Sequence, residues 1–258
     1  MITTIEELSL NAWPAHQTLL YDGWVLRFAD GYTKRANSVN PLYRSSLDPE
    51  EKIPFCEGIY QENRLDVVYK LTSASCPANL DEILEARGYL KESPTSVQLL
   101  DLGSRQVEFA REVEIQETLT DRWLNAFCRM SAVDERRRKS LQQILLDILP
   151  QRCFAALVVD AEVIAAGLGV LQSGYIGLFD IVVDGEFRGR GYGRQVVESI
   201  LSWGKQHGAQ HSYLQVMLDN LPALHLYSRI GFTEQYQYWY RVKPLPAVFG
   251  LSQGMLGR

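Results

Sequence analysis

The sequence predicts an α+β fold, on three observations. The second half of the chain reads in the order helix, helix, three strands, helix, strand, helix, strand. Its three consecutive strands are joined by the short turns Asp160-Ala161-Glu162 and Ser173-Gly174, which makes them a meander. The third of them runs into a glycine-rich turn, Gly189 to Gly193, that opens a helix. A mixed, mostly antiparallel sheet flanked by helices is the expected architecture.

Composition narrows the function classes. The 258 residues suffice for two ordinary domains, and 46% hydrophobic with 22% charged residues is a globular balance. A formal net charge of −5 gives a nucleic-acid partner no support. No apolar run reaches the ~18–20 residues of a membrane span, so no membrane partner is expected. Cys56, Cys76, Cys128 and Cys153 form no CxxC pair and no signal peptide is present, so reduced thiols and a cytoplasmic location are expected. His16, His207, His211 and His225 show no ligand pattern, and no metal is expected. Arg136-Arg137-Arg138-Lys139 precedes the apolar series Leu141, Ile144, Leu145 and Ile148 and reads as the wet face of a helix.

In the first half, a short helix is expected around Ile5 to Leu10, ended by Asn11-Ala12-Trp13-Pro14, with another helical piece after it. Trp24 to Phe28 alternates as a strand, Asp30-Gly31 is a hairpin signal, and Thr33 to Val39 would be the return strand. Asp48-Pro49 opens a helix running to about Glu62. Asp66 to Thr72 is a strand, Pro77 to Gly88 holds a second helix, and Tyr89-Leu90 and Thr95 to Leu100 are further strands. Gly103 to Glu114 is polar and without periodicity, and a domain boundary is placed there, separating 1–105 from 112–243.

In the second half, Leu119 to Met130 and Asp134 to Leu149 carry apolar residues at helical spacing. Cys153 to Val159, Val163 to Leu171 and Tyr175 to Val183 are the three strands of the meander. A helix from about Gly191 to Gln206, a strand from Gln210 to Leu218, a helix from Asn220 to Ile230 and a strand from Thr233 to Val242 follow. A tail, 244–258, closes the chain.

A glycine-rich turn between a strand and a helix aims bare backbone N–H groups and a helix dipole at an anion, usually a phosphate. A dinucleotide site needs G-x-G-x-x-G in a βαβ unit, and a P-loop needs G-x-x-x-x-G-K-[ST]. Neither stands here: the glycines fall at 189, 191 and 193, after an antiparallel meander. A purely structural turn is the plainer alternative.

The wider pattern favours a ligand. Arg188-x-x-Gly191-x-Gly193 matches the R/Q-x-x-G-x-G/A motif of the GNAT (GCN5-related) superfamily of acyl-CoA-dependent N-acyltransferases. Asp180 to Gly191 resembles that family's fourth strand and pyrophosphate loop, with Gly185 where proline is common. Leu214-Gln215-Val216 resembles its fifth strand, and Asn220-x-x-Ala223-x-x-x-Tyr227 before Gly231-Phe232 resembles its next helix. The resemblance spans about 115–243. The first half, with its strand, helix and Gly88-Tyr89, resembles a partial, degenerate GNAT-like unit without a pyrophosphate loop. Trp24 to Tyr43 is similar to the N-terminal region of bacterial two-domain GNAT proteins.

The resemblance implies a GNAT fold and acetyl-CoA as acyl donor. The amides of Gly189, Arg190, Gly191, Tyr192, Gly193 and Arg194 would take the pyrophosphate, with charge from Arg188, Arg190 and Arg194. The backbone of Ile181, Val182 and Val183 would pair with the pantetheine arm, as a strand pairs with a peptide. Asn220 would cap its helix or touch the pantetheine, on one helix face with Ala223 and Tyr227. Tyr227 would be the general acid, since a phenol of pKa ~10 stays protonated at neutral pH and can donate to a thiolate of pKa ~8.5. Asp180 is the candidate base, with Glu162, Glu198 or water as substitutes. Arg35 and Asn37 are candidate acceptor contacts. The implied reaction is N-acetylation of a small-molecule or protein amine, and a non-catalytic acyl-CoA-binding or interaction module is the second reading.

Overall fold

In the computed structural model of the chain, the residues described are 1–103, 105–106 and 109–245, so the expected tail lies, from 246 on, outside the described residues. The elements in order are α1 (Ile2–Ala12), β1 (Gln17–Tyr21), β2 (Trp24–Phe28), β3 (Val39–Pro41), α2 (Pro49–Glu62), β4 (Val67–Thr72), α3 (Leu80–Ala86), β5 (Leu90–Asp101), β6 (Val113–Gln116), α4 (Asp121–Met130), α5 (Glu135–Leu146), β7 (Gln151–Val159), β8 (Glu162–Gln172), β9 (Tyr175–Val183), α6 (Tyr192–Gln206), β10 (His211–Met217), α7 (Leu221–Ile230) and β11 (Thr233–Lys243). All strands form one sheet, in the order β1-β2-β3-β4-β11-β5-β10-β9-β8-β7-β6. The last strand, β11, lies between β4 and β5 and is antiparallel to both. First and second halves of the chain thus share one sheet, interleaved at its centre.

The meander β7-β8-β9 is antiparallel, and both its faces are covered. Phe154 and Ala156 of β7 pack with α1, α4 and α5, whereas Cys153, Ala155 and Leu157 pack with α6 and α7. This alternation follows from side chains pointing to opposite faces of a strand. Arg136, Arg137 and Lys139 are exposed on α5, while Leu141, Ile144 and Leu145 are buried. A third cluster fills the first half, with Trp24, Leu26, Tyr69 and Leu71 of the sheet under Ile53 and Tyr60 of α2 and Leu84 of α3. Among the described residues, no helix is long and apolar enough to cross a membrane.

The first half departs from several expectations. The helical piece expected after Pro14 is instead the edge strand β1. Its hairpin to β2 turns at Asp22-Gly23, both at positive φ, and Asp30-Gly31 also turns, both at positive φ, on the way from β2 to its antiparallel partner β3. The expected return strand from Thr33 is broken by Asn37. Its side chain accepts from the Ala29 and Gly31 amides and donates to the Ala29 and Thr33 carbonyls. That local bonding competes with a ladder. A 3-10 turn, Lys34–Ala36, forms there, and pairing resumes only at β3. The two strands expected around Tyr89 and Leu100 are one strand, β5, with Ser93 at positive φ. Val113–Gln116, in the stretch read as aperiodic, is the edge strand β6 on β7.

Candidate active site

The site begins where β9 and β10 part. The two strands pair in parallel from Tyr175 with His211 as far as Leu178 with Leu214. Pairing then stops, although β9 continues to Val183 and β10 to Met217. The divergence coincides with a bulge in β9. Phe179 faces Leu168 and Val182 faces Ala166, so Asp180 and Ile181 share Gly167 as their one opposite residue. Asp180 takes up the extra length with φ +51. Gly167 makes room, since a Cβ there would stand 2.6 Å from the Ile181 side chain. A bulge bends its strand and leaves a residue unpaired. The edge of β9 facing β10 is thereby freed at Ile181, Val182 and Val183.

The glycine turn follows. Asp184 bonds the Glu186 amide with its side chain, Gly185–Phe187 make one 3-10 turn, and α6 starts at Tyr192. Gly189 and Gly191 sit at φ +75 and +84, a region that disfavours a Cβ. The amides of Gly189, Arg190, Gly191, Tyr192 and Gly193 have no hydrogen-bond acceptor among the described residues. They gather at the N-terminus of α6, where the helix dipole favours an anion. The arginines are partly committed to structure. Arg188 Nε donates to the Val183 carbonyl at 3.2 Å and ties the turn to the end of β9. Arg194 pairs with Glu198 at 2.9 Å, and Arg190 lies over the Phe187 ring. A groove of about 610 Å³ runs from this turn to the fork, lined by Ile181, Val182, Val183, Arg188, Gly189, Gly191, Tyr192, Gly193 and Arg194 on one side and by Asn220, Ala223 and Tyr227 on the other. Arg190 is not among its lining residues.

Asn220 caps α7, its Oδ1 accepting from the Ala223 amide at 3.3 Å. Two turns on, Tyr227 is buried, with Phe232 edge-on to its ring at 5.9 Å. Its hydroxyl has no hydrogen-bond partner among the described residues. Burial alone pushes the phenol up to about 12, so it is a held proton at neutral pH.

A second cavity, of about 410 Å³, opens on the far side of Tyr227. Ile181, Asn220, Ala223 and Tyr227 line both spaces, so the groove and the cavity meet at the fork. The first half supplies one wall of this cavity through Thr33, Lys34, Arg35, Ser93 and Thr95, and β10 and β11 supply Gln215, Tyr238 and Tyr240. Asp180 faces it from the bulge. Its Oδ1 is 3.5 Å from Arg35 Nη2, and its Oδ2 is buried without a partner. Burial raises this carboxyl above the usual carboxylate range, and Arg35 partly opposes the shift. The Arg35 guanidinium lies 4.5 Å over the Trp13 ring. Lys34 is paired with Glu92.

The sequence-predicted residues divide accordingly. The fork assembles Asp180, Ile181, Val182, Val183, Asn220, Ala223 and Tyr227 with the glycine turn. Arg35 joins them, whereas Asn37 is consumed by its own turn and does not line the cavity. Glu162 and Glu198 line neither space. Sequence reasoning missed Trp13, Lys34, Gln215, Tyr238 and Tyr240. Only the alternate tyrosines of β11 carried a local signal, a shared face at period two.

Comparison with known proteins agrees with this geometry. Residues 1–241 match the model of a family described as "Probable histone acetyltransferase Rv0428c C-terminal". The chain is 32% identical over 247 residues to a Bacillus subtilis (strain 168) protein named "Uncharacterized N-acetyltransferase YobR", covering 94% of this chain and 98% of that one. A GCN5-related N-acetyltransferase from Kribbella flavida superposes with a TM-score of 0.70 at 13% identity, covering 95% of this chain and 96% of its own. A tandem GNAT protein from the clavulanic acid biosynthesis pathway superposes at 0.62 and 12% identity, covering 94% of this chain and 89% of its own. The opened strands, the glycine turn and these matches together place the chain in the Rv0428c C-terminal acetyltransferase family of the GNAT superfamily, and it is an acyl-transferring enzyme.

Proposed function

We propose that the enzyme transfers an acetyl group from acetyl-CoA directly to a primary amine, across the fork between β9 and β10. The observation that carries this reading is the meeting of two spaces at Tyr227. One is a groove with the glycine turn at its far end, and the other is a cavity lined by Asp180.

The residues fit the donor. Five unpartnered amides at the start of α6 suit a pyrophosphate. The freed edge of β9 at Ile181, Val182 and Val183 suits the amide groups of a pantetheine arm. Asn220 and Ala223 then form the facing wall, with Asn220 serving primarily as the helix cap. When bound, acetyl-CoA supplies a thioester whose carbonyl carbon accepts the amine.

In its ionised form Asp180, next to the cavity, takes a proton from the acceptor ammonium and releases it to solvent. The new N–C bond forms as the C–S bond breaks, and the nitrogen's second proton passes to solvent, so the amide is left neutral. Tyr227 gives its proton to the leaving sulfur and recovers one from solvent. A base whose affinity for protons is raised by burial is better matched to an amine than an exposed carboxylate.

We assign residues 1–105 to a degenerate GNAT-like unit and 112–243 to the catalytic unit. The absence of a glycine turn between β4 and α3 supports the first assignment, although both units contribute to one sheet. The four unpaired cysteines fit a reducing, cytoplasmic setting.

Calorimetric titration with acetyl-CoA, followed by thiol release across a panel of amines, tests the reading. Binding with turnover of at least one amine is expected. Absence of acetyl-CoA binding would contradict the donor assignment, and binding without thiol release from any amine would favour a non-catalytic role.

A further inference from the structure

The acceptor cavity holds two polar groups left incompletely engaged. One is Asp180 Oδ2, which is buried and has no hydrogen-bond partner. The other is the Arg35 guanidinium, which contacts Asp180 through a single nitrogen at 3.5 Å and has no other side-chain hydrogen bond among the described residues. An arginine offers five N–H donors in a planar fork that matches a carboxylate. This fork is held in place. Its central carbon, Cζ, lies 4.5 Å from the centroid of the Trp13 ring, and the Arg35 backbone carbonyl accepts from the buried Arg27 at 2.6 Å. Arg27 also binds the carbonyls of Leu10 and Trp13, which locks the end of α1 to the Arg35 turn.

Charge in the cavity is therefore dipolar. Lys34 is neutralised by Glu92, leaving a guanidinium fork and a carboxyl group side by side. A polycation would place a second positive charge against Arg35. An uncharged amine would leave the fork without a carboxylate. A molecule carrying an ammonium and a carboxylate two bonds apart satisfies both groups at once, and the space of about 410 Å³ accommodates it with a side chain.

We propose that the acceptor is a free amino acid or an amino-acid-like zwitterion, its carboxylate received by Arg35 and its ammonium by Asp180. The proposal rests on the acetyl-transfer reading above. Arg35 is on this account a specificity-determining residue, supplied to the catalytic half by the first half of the chain.

The experiment uses the full chain and matched pairs: leucine with isopentylamine, phenylalanine with phenethylamine, tyrosine with tyramine. A lysine peptide with blocked termini is the macromolecular control. Thiol release from acetyl-CoA gives kcat/KM, and calorimetry gives binding of the same compounds without turnover. For at least one pair, the amino acid should exceed its decarboxylated partner at least about tenfold, because a buried polar group left unpaired is costly. Arg35→Gln should raise KM for the amino acid and reduce that preference at least about tenfold, with Arg35→Lys intermediate. Circular dichroism of both variants guards against misfolding, and the wild-type ratios decide the matter if either fails to fold. Equal or better use of the decarboxylated partners in every pair, or preference for the blocked peptide, would overturn the proposal. So would acetyl-CoA binding with no amino acid turned over. Loss of acetyl-CoA binding itself would instead sink the donor assignment, and the calorimetric comparison of each pair would still decide the acceptor class.

Discussion

Asp180 Oδ1 stands 3.5 Å from Arg35 Nη2, although 145 positions separate the two residues in the chain. One belongs to a strand bulge beside the proposed donor groove, and the other to a turn of the first half. Their contact joins the two halves of the chain at the proposed reacting centre.

Replacing Asp180 with Asn separates activity from stability. The carboxyl is held above the usual range by burial, so the folded state binds its proton more tightly than the unfolded chain does. Stability from this group is present below the ordinary carboxylate range and is lost as pH rises through the folded value. Asp180→Asn removes that loss, and asparagine tolerates the positive φ. Thermal melts should show the variant as stable as the parent, or more so, near pH 8, with no gain near pH 4. Its kcat/KM should fall about 100-fold or more. The parent's kcat/KM should fall as pH drops through a value above the ordinary carboxylate range.

Gly191→Ala tests the anion turn. The residue sits at φ +84, and a Cβ would meet nothing within 4 Å in the protein. Left-handed strain should cost about 1 kcal/mol, visible in urea unfolding. Any larger effect on the donor must come from the ligand side. KM for acetyl-CoA should rise about tenfold, because the Cβ and the altered turn disturb the amides at the start of α6.

Gly169→Ala is the converse case, a packing change away from both spaces. Its Cβ would lie 2.5 Å from Ile200 Cγ2 and 2.8 Å from Cys153 Sγ, under α6. Overpacking should cost about 1–3 kcal/mol in the denaturant midpoint. KM for acetyl-CoA should stay within about twofold of the parent at temperatures where the variant is folded.

Where structure is set by near neighbours, it was legible in the sequence. The meander, the glycine turn and the Asn220 cap each depend on residues a few positions apart, and their elements form close to where spacing and turn chemistry put them. Where structure is set across the chain, it was not. The Asp180 bulge depends on Gly167 in the neighbouring strand, and nothing local to Asp180 announces a positive φ. The seat of β11 between β4 and β5 is set by pairing with both strands along its length, which strand propensity cannot assign to partners. Arg35 and Asn37 look alike as polar residues in a turn. One projects into the cavity and the other folds back on its own backbone, a choice made by the contacts around them.

Tyr227→Phe is the most direct test of transfer at this fork. The hydroxyl has no hydrogen-bond partner among the described residues, so its removal should change stability little, within about 0.5 kcal/mol. With acetyl-CoA binding checked by calorimetry and held unchanged, kcat for the preferred amine should fall about 100-fold, the scale of a lost general acid. An unchanged kcat, in a variant that folds and binds acetyl-CoA as the parent does, would contradict the account.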